Sequence, residues 1–288
     1  MGEKVNMCRS ERLSALVVAM VLVATVLAAA ETRKELRFKV HRRASVSVAN
    51  QFGPISVKPS AGKEVLVTAI LHSDKAEIDE SHSRNRVSVT THLLPGADAS
   101  TGRVDYEVLV PADASVTLHS ATGPLRAERL HGDVILEGNT ANVDVRDLSN
   151  GHVHIKTLNG PVTLTNITDG HVEITSVSGE VALNSVSGPL VHVNSNSGRI
   201  VYDGDFGGGG EYSLMTHTGD IEATAPAYAS IDVVASSTQG KVVNDFPLQP
   251  AHTSFAAKAG TAFAGTMGKA ASSVKLLSFS GKIHLKKR

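Results

Sequence analysis

The sequence predicts an all-β protein, a parallel β-solenoid (a two-sheet β-helix) with rungs of about 19 residues and less regular strands at its N-terminal side. Three observations predict it. Gly132, Gly151 and Gly170 form one series with a spacing of 19 residues, and Gly160, Gly179 and Gly198 form a second with the same spacing. Each glycine precedes a short run in which apolar residues alternate with polar ones, the period of a strand with one buried face. Finally, two short strands and two turns per repeat cannot bury an apolar face alone, so the units must stack, about 4.8 Å apart, into one continuous thin core. Propeller blades and leucine-rich repeats have longer periods or other signatures.

The N-terminus reads as an export signal. Lys4, Arg9 and Arg12 precede an apolar run from Leu13 to Ala30, and Ala28 and Ala30 form an Ala-x-Ala cleavage site before Glu31. Residues 1–30 are therefore expected to be a cleaved signal peptide, with a membrane anchor as the alternative if cleavage does not occur. The single cysteine, Cys8, lies ahead of the apolar run, so the mature chain would have no thiol for a disulfide, a metal site or a nucleophile.

Residues 31–288 read as one solenoid domain. Its first part, 31–115, contains strands such as "LRFKV", "EVLVTAIL" and "YEVLVP" without clean repeats, placed to cap the open first edge. Residues 116–204 hold the regular rungs. One inward column is Val134/Leu136, Val153/Ile155 and Val172/Ile174, and the other is Val143/Val145, Val162/Leu164 and Val181/Leu183. The glycine expected before the "NVDV" strand is replaced by Ala141. A third apolar site falls in the turns at Leu148, Leu158, Ile167, Val177 and Val186. The turn glycines are expected to supply positive φ. Residues 205–288 continue as irregular rungs: "DFGGGGEY" reads as a mobile insertion loop, 251–271 as a loose extended connection, and the terminal "KKR" as a solvated end that blunts the last edge.

Three longer stretches carry a resemblance. "YEVLVPADASVTLHSATGPLRAERLHGDVIL" (106–136) has a strand ending in Val-Pro followed by glycine-containing strands. "YSLMTHTGDIEATAPAYASIDVVASSTQGKV" (212–242) has Thr-Gly-Asp-Ile, and "GTMGKAASSVKLLSFSGKIHL" (265–285) closes on Ser-Gly-Lys-Ile. Together they resemble the bacterial putative-adhesin family of β-strand-repeat proteins, a domain of unknown function related to head domains of autotransporter adhesins. The resemblance implies the fold and an adhesin-like setting, and it brings no catalytic residues.

Formal net charge is zero, from 28 basic and 28 acidic residues, which excludes nucleic acid as an expected partner. Trp is absent and aromatics make up only 4% of the chain, too few to line a sugar-stacking cleft. There is no Gly-x-Ser-x-Gly elbow, no P-loop and no dinucleotide fingerprint, so no catalytic residues and no cofactor are assigned. The outward positions contain one local cluster. His152 and His171, one rung apart, and His154 with Glu173 form a two-by-two patch with Asp133 a rung earlier. Such side chains at roughly 5–7 Å could ligate Zn²⁺; the same pattern describes a solvated polar face, the reading adopted. Asp203 and Asp205, beside four glycines, read as part of a mobile turn rather than an acid–base or calcium pair.

The function expected is a non-enzymatic exported scaffold, an adhesin or cell-envelope interaction protein. Its partner would be an envelope or extracellular protein or a glycan, in the periplasm, at the cell surface or secreted. The alternative is a β-helical polysaccharide lyase or hydrolase, which would require clustered carboxylates in a cleft.

Overall fold

The computed structural model describes residues 31–250 and 260–288, and every helix-or-strand element among them is a β-strand. The signal peptide expected over 1–30 lies outside the described residues, as does 251–259 within the expected loose connection.

The N-terminal strands are β1 (Thr32–Lys39), β2 (Ser45–Asn50), β3 (Ile55–Ser60), β4 (Glu64–Leu71), β5 (Ala76–Ser83), β6 (Arg86–Leu93) and β7 (Val104–Pro111). The regular rungs follow as β8 (Ser115–Ser120), β9 (Leu125–Glu128), β10 (Val134–Gly138), β11 (Val143–Ser149), β12 (His152–Thr157), β13 (Val162–Thr168), β14 (His171–Ser176), β15 (Val181–Val186), β16 (Leu190–Ser195) and β17 (Ile200–Asp203). The C-terminal part adds β18 (Glu211–Thr216), β19 (Ile221–Ala225), β20 (Ile231–Ser237), β21 (Val242–Asn244), β22 (Gln249–Pro250), β23 (Ala262–Met267), β24 (Ser272–Ser278) and β25 (Ile283–Lys287).

These strands form two sheets of 12 and 13 strands. From β7 to β21 the strands alternate between them, so each pair such as β12–β13 is one rung. The register is the one the period requires: Val134, Val153, Val172 and Val191 pair in turn in one sheet, and Val143, Val162, Val181 and Ile200 in the other. All eight are at most 1% exposed, whereas His152 and His171 are exposed and Thr163 is half-buried. A one-residue slip would invert every side chain, so burial and register specify each other.

The glycines serve a purpose other than the expected one. Those of the two repeat series have no positive φ. They are needed because successive rungs touch backbone to backbone at the corners. A Cβ on Gly179 would lie 1.9 Å from the Gly160 carbonyl oxygen, and one on Gly198 would lie 2.1 Å from that of Gly179. The positive φ falls instead on non-glycine residues, among them Asp147 (54°), Asn166 (56°) and Ser185 (54°), each one rung from the next. Each inserts one extra residue into the alternation, as a bulge does, and turns the following Leu148, Ile167 or Val186 into the core. Asn and Asp tolerate this conformation better than most side chains.

The third apolar site is thereby corrected. Leu148, Ile167 and Val186 are buried, but Leu158 and Val177 are 49% and 41% exposed. At that second corner no bulge intervenes, and simple alternation after the buried Thr157 and Ser176 points the next residue outward. The tetrapeptide Ser-Val-Ser-Gly thus occurs at two different corners: Val177 of 176–179 faces solvent, and Val186 of 185–188 is 1% exposed.

A buried hydroxyl completes the glycine corner. Gly160, Gly198, Gly219, Gly240 and Gly281 donate their N–H to the side chain three residues earlier, Thr157, Ser195, Thr216, Ser237 and Ser278, at 2.9–3.2 Å. Several of these hydroxyls donate onward to the glycine carbonyl of the neighbouring rung: Thr216 to Gly198 at 3.3 Å, Ser278 to Gly219 at 3.2 Å and Ser237 to Gly281 at 2.7 Å. The exception at Ala141 has a compensating partner. Position 138 pairs with Thr157 and is itself a glycine, and a Cβ there would lie 2.7 Å from the Ala141 Cβ. The methyl at 141 therefore occupies space vacated at 138.

The ends depart from the repeat. At the N-terminal end β2 and β3 are a full rung in parallel register with β8 and β9, although the sequence of 31–115 shows no clean period. Beyond it β1, β4 and β7 pair antiparallel, as do β5 and β6. At the other end β24 and β25 insert between the β18–β19 rung and the β20–β21 rung, so spatial order differs from chain order. The KKR end consequently does not blunt an edge: β25 lies between β19 and β21, Lys286 pairs with Glu222, and Arg288 pairs with Asp203. Within the expected loose connection, Ala262–Met267 is instead a strand antiparallel to β20.

The 205–212 loop is also corrected. Phe206 is fully buried, stacked on Tyr202 at 4.4 Å and meeting Tyr212 edge-on at 5.2 Å. The Tyr202 hydroxyl donates to the Val186 carbonyl at 3.0 Å and accepts from the Phe206 N–H at 2.9 Å, and burial pushes its pKa above the ordinary tyrosine range. The loop is anchored by an aromatic plug, and its glycine tip is exposed.

Val172→Asp places a carboxylate in this thin core with no cation to meet it, and should cost several kcal/mol. Thr165→Asp lies on the outward face beside Arg146 in register and should change stability by less than about 1 kcal/mol. Denaturant melts of the two variants check the inward–outward assignment, which equal losses contradict.

Candidate functional site

With the interior of the regular rungs filled mainly by Val, Ile and Leu, the charged and histidine side chains there stand in outward columns and corners. The register brings the sequence-identified patch together as two pairs. His152 lies against His171, their ring centroids 4.7 Å apart and tilted by 31°. On the other side the His152 ring lies 3.4 Å from Asp133, whose carboxylate also accepts the His152 backbone N–H at 3.1 Å. In the adjacent column the Nδ1 of His154 lies 3.2 Å from the Glu173 carboxylate. The side chains rim a shallow depression of about 330 Å³ whose floor includes Ile135.

These pairs run along the columns rather than toward one point. Among the described residues, no three His, Cys, Asp or Glu side chains form a group that could hold a metal ion. Asp203 and Asp205 do not act together either: Asp203 is engaged by Arg288, and Asp205 accepts the Gly207 N–H at 2.9 Å.

Two further grooves lie along the corner formed by the Ser/Thr-capped glycine turns. The first, about 540 Å³, is lined by His119, Glu137, Lys156, Leu158 and Val177 among others. His119, Glu137 and Lys156 are in register on successive rungs, with His119 3.1 Å from Glu137. Offsets of 18 and 19 residues are the sequence signal of this column. The second, about 680 Å³, runs past Asn194, Asn196, Met215, His217 and Phe279. His217 and Phe279 stack at 4.8 Å with planes only 8° apart. They meet because of the intercalated C-terminal rung, which no local period announces.

The outward face of the other sheet is charged at both ends and neutral between them. Arg146 grips Asp144 at 2.8 Å, and Lys58 lies 3.5 Å from Glu128. Thr163, Thr165, Ala182 and Asn184 follow on the next two rungs. Further on, the hydrogen bond from Lys286 holds the Glu222 carboxyl below its usual range against the opposing effect of burial, helped by Arg199 at 2.9 Å. The carboxylates of this face named here are thus committed to neighbouring cations, an arrangement that orders a surface and leaves none of them poised over a cleft.

Calorimetry with Zn²⁺ should reveal no site tighter than about the micromolar range, since the histidine patch lacks convergent ligands and buried groups to orient its rings. A tight isotherm abolished by His152→Ala or His171→Ala contradicts this geometry.

Among curated protein sequences none matches this chain. Solved structures that resemble it include a putative adhesin from Bacteroides fragilis, at 12% identity, covering 89% of this chain and 97% of that one with a TM-score of 0.41. Another is a putative adhesin from Parabacteroides merdae, at 11% identity, 90% and 98% coverage and a TM-score of 0.34. A third is a putative cell adhesion protein from Clostridium sporogenes, at 13% identity, 89% and 100% coverage and a TM-score of 0.28. The family model that matches is Toastrack DUF4097, over residues 45–286. That span runs from the first strand of the β2–β3 rung into the last strand of the chain, so this protein belongs to the Toastrack DUF4097 family.

Proposed function

We propose that this chain is a non-enzymatic, exported scaffold of adhesin or cell-envelope type. It presents its outward columns and corner grooves to a protein or glycan outside the cytoplasm. The observation that carries this reading is the continuity of the two ladders: each rung is fixed to the next by strand pairing, glycine contact and buried hydroxyls. The outward side chains therefore stand on a rigid lattice that needs no ligand to order it. Such a lattice suits multipoint recognition across a long face. The pairing of the outward carboxylates with neighbouring histidines, lysines and arginines supports a binding surface over a hydrolytic cleft. Export is supported by the Arg- and Lys-bearing apolar leader and its Ala-x-Ala site.

Fractionation of expressing cells should recover the chain outside the cytoplasm, starting near Glu31, and the purified chain should retain a component from a glycan and envelope-fraction pull-down. A cytoplasmic protein that keeps Met1, or one that depolymerises an added polysaccharide, contradicts the proposal.

A further inference from the structure

The two ends of the solenoid treat their open edges differently. At the C-terminal end the outermost described strands are short, Val242–Asn244 in one sheet and Gln249–Pro250 in the other, and the second carries a proline. Short strands and proline both blunt an edge. At the N-terminal end the outermost described strands are β1 and β5, each eight residues long. Long unpaired edges are templates for another chain.

Their charges are opposite. β1 carries Arg33, Lys34, Arg37 and Lys39 against a single carboxylate, Glu35. β5 carries Glu77, Asp79 and Glu80 and no Lys or Arg. These charged residues are all exposed. Arg33 and Arg37 are partly occupied by Glu35, at 3.0 and 3.5 Å. Among the described residues Lys34, Lys39, Glu77, Asp79 and Glu80 have no ion-pair partner. The two edges lie at the same end of the molecule, since the Phe38 ring of β1 is 5.3 Å from the His82 ring of β5.

We infer that the N-terminal end binds a second copy of this chain, head to head, with β1 of each copy against β5 of the other. Charge of either sign suffices to blunt an edge, but edges of equal length and opposite sign at one end are complementary to themselves under a two-fold axis. An axis running along the strands inverts the solenoid and exchanges its sheets, so basic meets acidic twice in an isologous contact. An axis across the strands would set β1 on β1 and β5 on β5, where like charges repel. The same pattern therefore selects one pairing and disfavours the other.

Residues 31–288, which carry every described strand, can be tested by sedimentation at low and high ionic strength. The expected result is a dimer at low salt whose dissociation constant rises about tenfold or more as salt screens the edges. The double variant Glu77→Lys/Asp79→Lys should be monomeric, as should Lys34→Glu/Lys39→Glu, while an equimolar mixture of the two restores a heterodimer. Carbodiimide cross-linking of mixed isotope-labelled and unlabelled wild-type protein should join β1 lysines to β5 carboxylates between copies, and it decides the matter if a variant does not melt cooperatively. A wild-type chain monomeric at low salt, a dimer unaffected by either reversal, a mixture that stays monomeric, or intermolecular cross-links confined to other surfaces overturns the inference.

Discussion

Everything in this molecule depends on how closely one rung can sit on the next at its corners. The strand ladders alone set a spacing of about 4.8 Å along the coil. Where the chain turns between sheets, the backbone of one rung rests on the carbonyl of the rung below, and a side chain there has nowhere to go: a Cβ at Gly160 would lie 1.6 Å from the Ala141 oxygen. The buried Ser or Thr three residues earlier then binds the glycine N–H of its own rung, and in the C-terminal half also the carbonyl of its neighbour. Burial of valine columns supplies most of the stabilisation, while the corner contacts specify where each rung sits.

This explains what the sequence made legible. The valine pairs, such as Val153 with Val172, repeat because each must fill the same slice of core, so period and facing were readable from residues alone. The glycine positions were readable too, but not their reason. Close approach and positive φ both select glycine, and only the rung below, invisible in a local window, distinguishes them. The same blindness affected the two copies of Ser-Val-Ser-Gly. Val177 and Val186 have identical neighbours, and their opposite burial follows from a left-handed Ser185 in one corner and plain alternation after the buried Ser176 in the other. Ala141 shows the reciprocal case, in which a lost glycine is balanced by Gly138, three residues away.

The ends and the candidate site were legible to different degrees. The histidine patch followed directly from the period, since His152 and His171 had to be neighbours; its resolution into separate pairs with Asp133 and Glu173 depended on side-chain direction. The His217–Phe279 stack and the Arg288–Asp203 pair exist only because β24 and β25 enter between rungs made earlier in the chain, and no periodicity predicts an intercalation. The aromatic plug of Tyr202, Phe206 and Tyr212 was obscured by the four glycines beside it, which suggested mobility although Phe206 is fully buried.

The most direct test of this account compares two glycines by denaturant unfolding. Gly179→Ala must push a methyl against the Gly160 carbonyl, 1.9 Å from the ideal Cβ, and should destabilise by about 1–3 kcal/mol or more. Gly208→Ala has open space around its Cβ and no positive φ, and should be neutral or slightly stabilising, within about 1 kcal/mol. A large loss at Gly179 with none at Gly208 is the predicted result; equal effects at both positions would contradict the claim that backbone contact at the corners sets the stacking of the rungs.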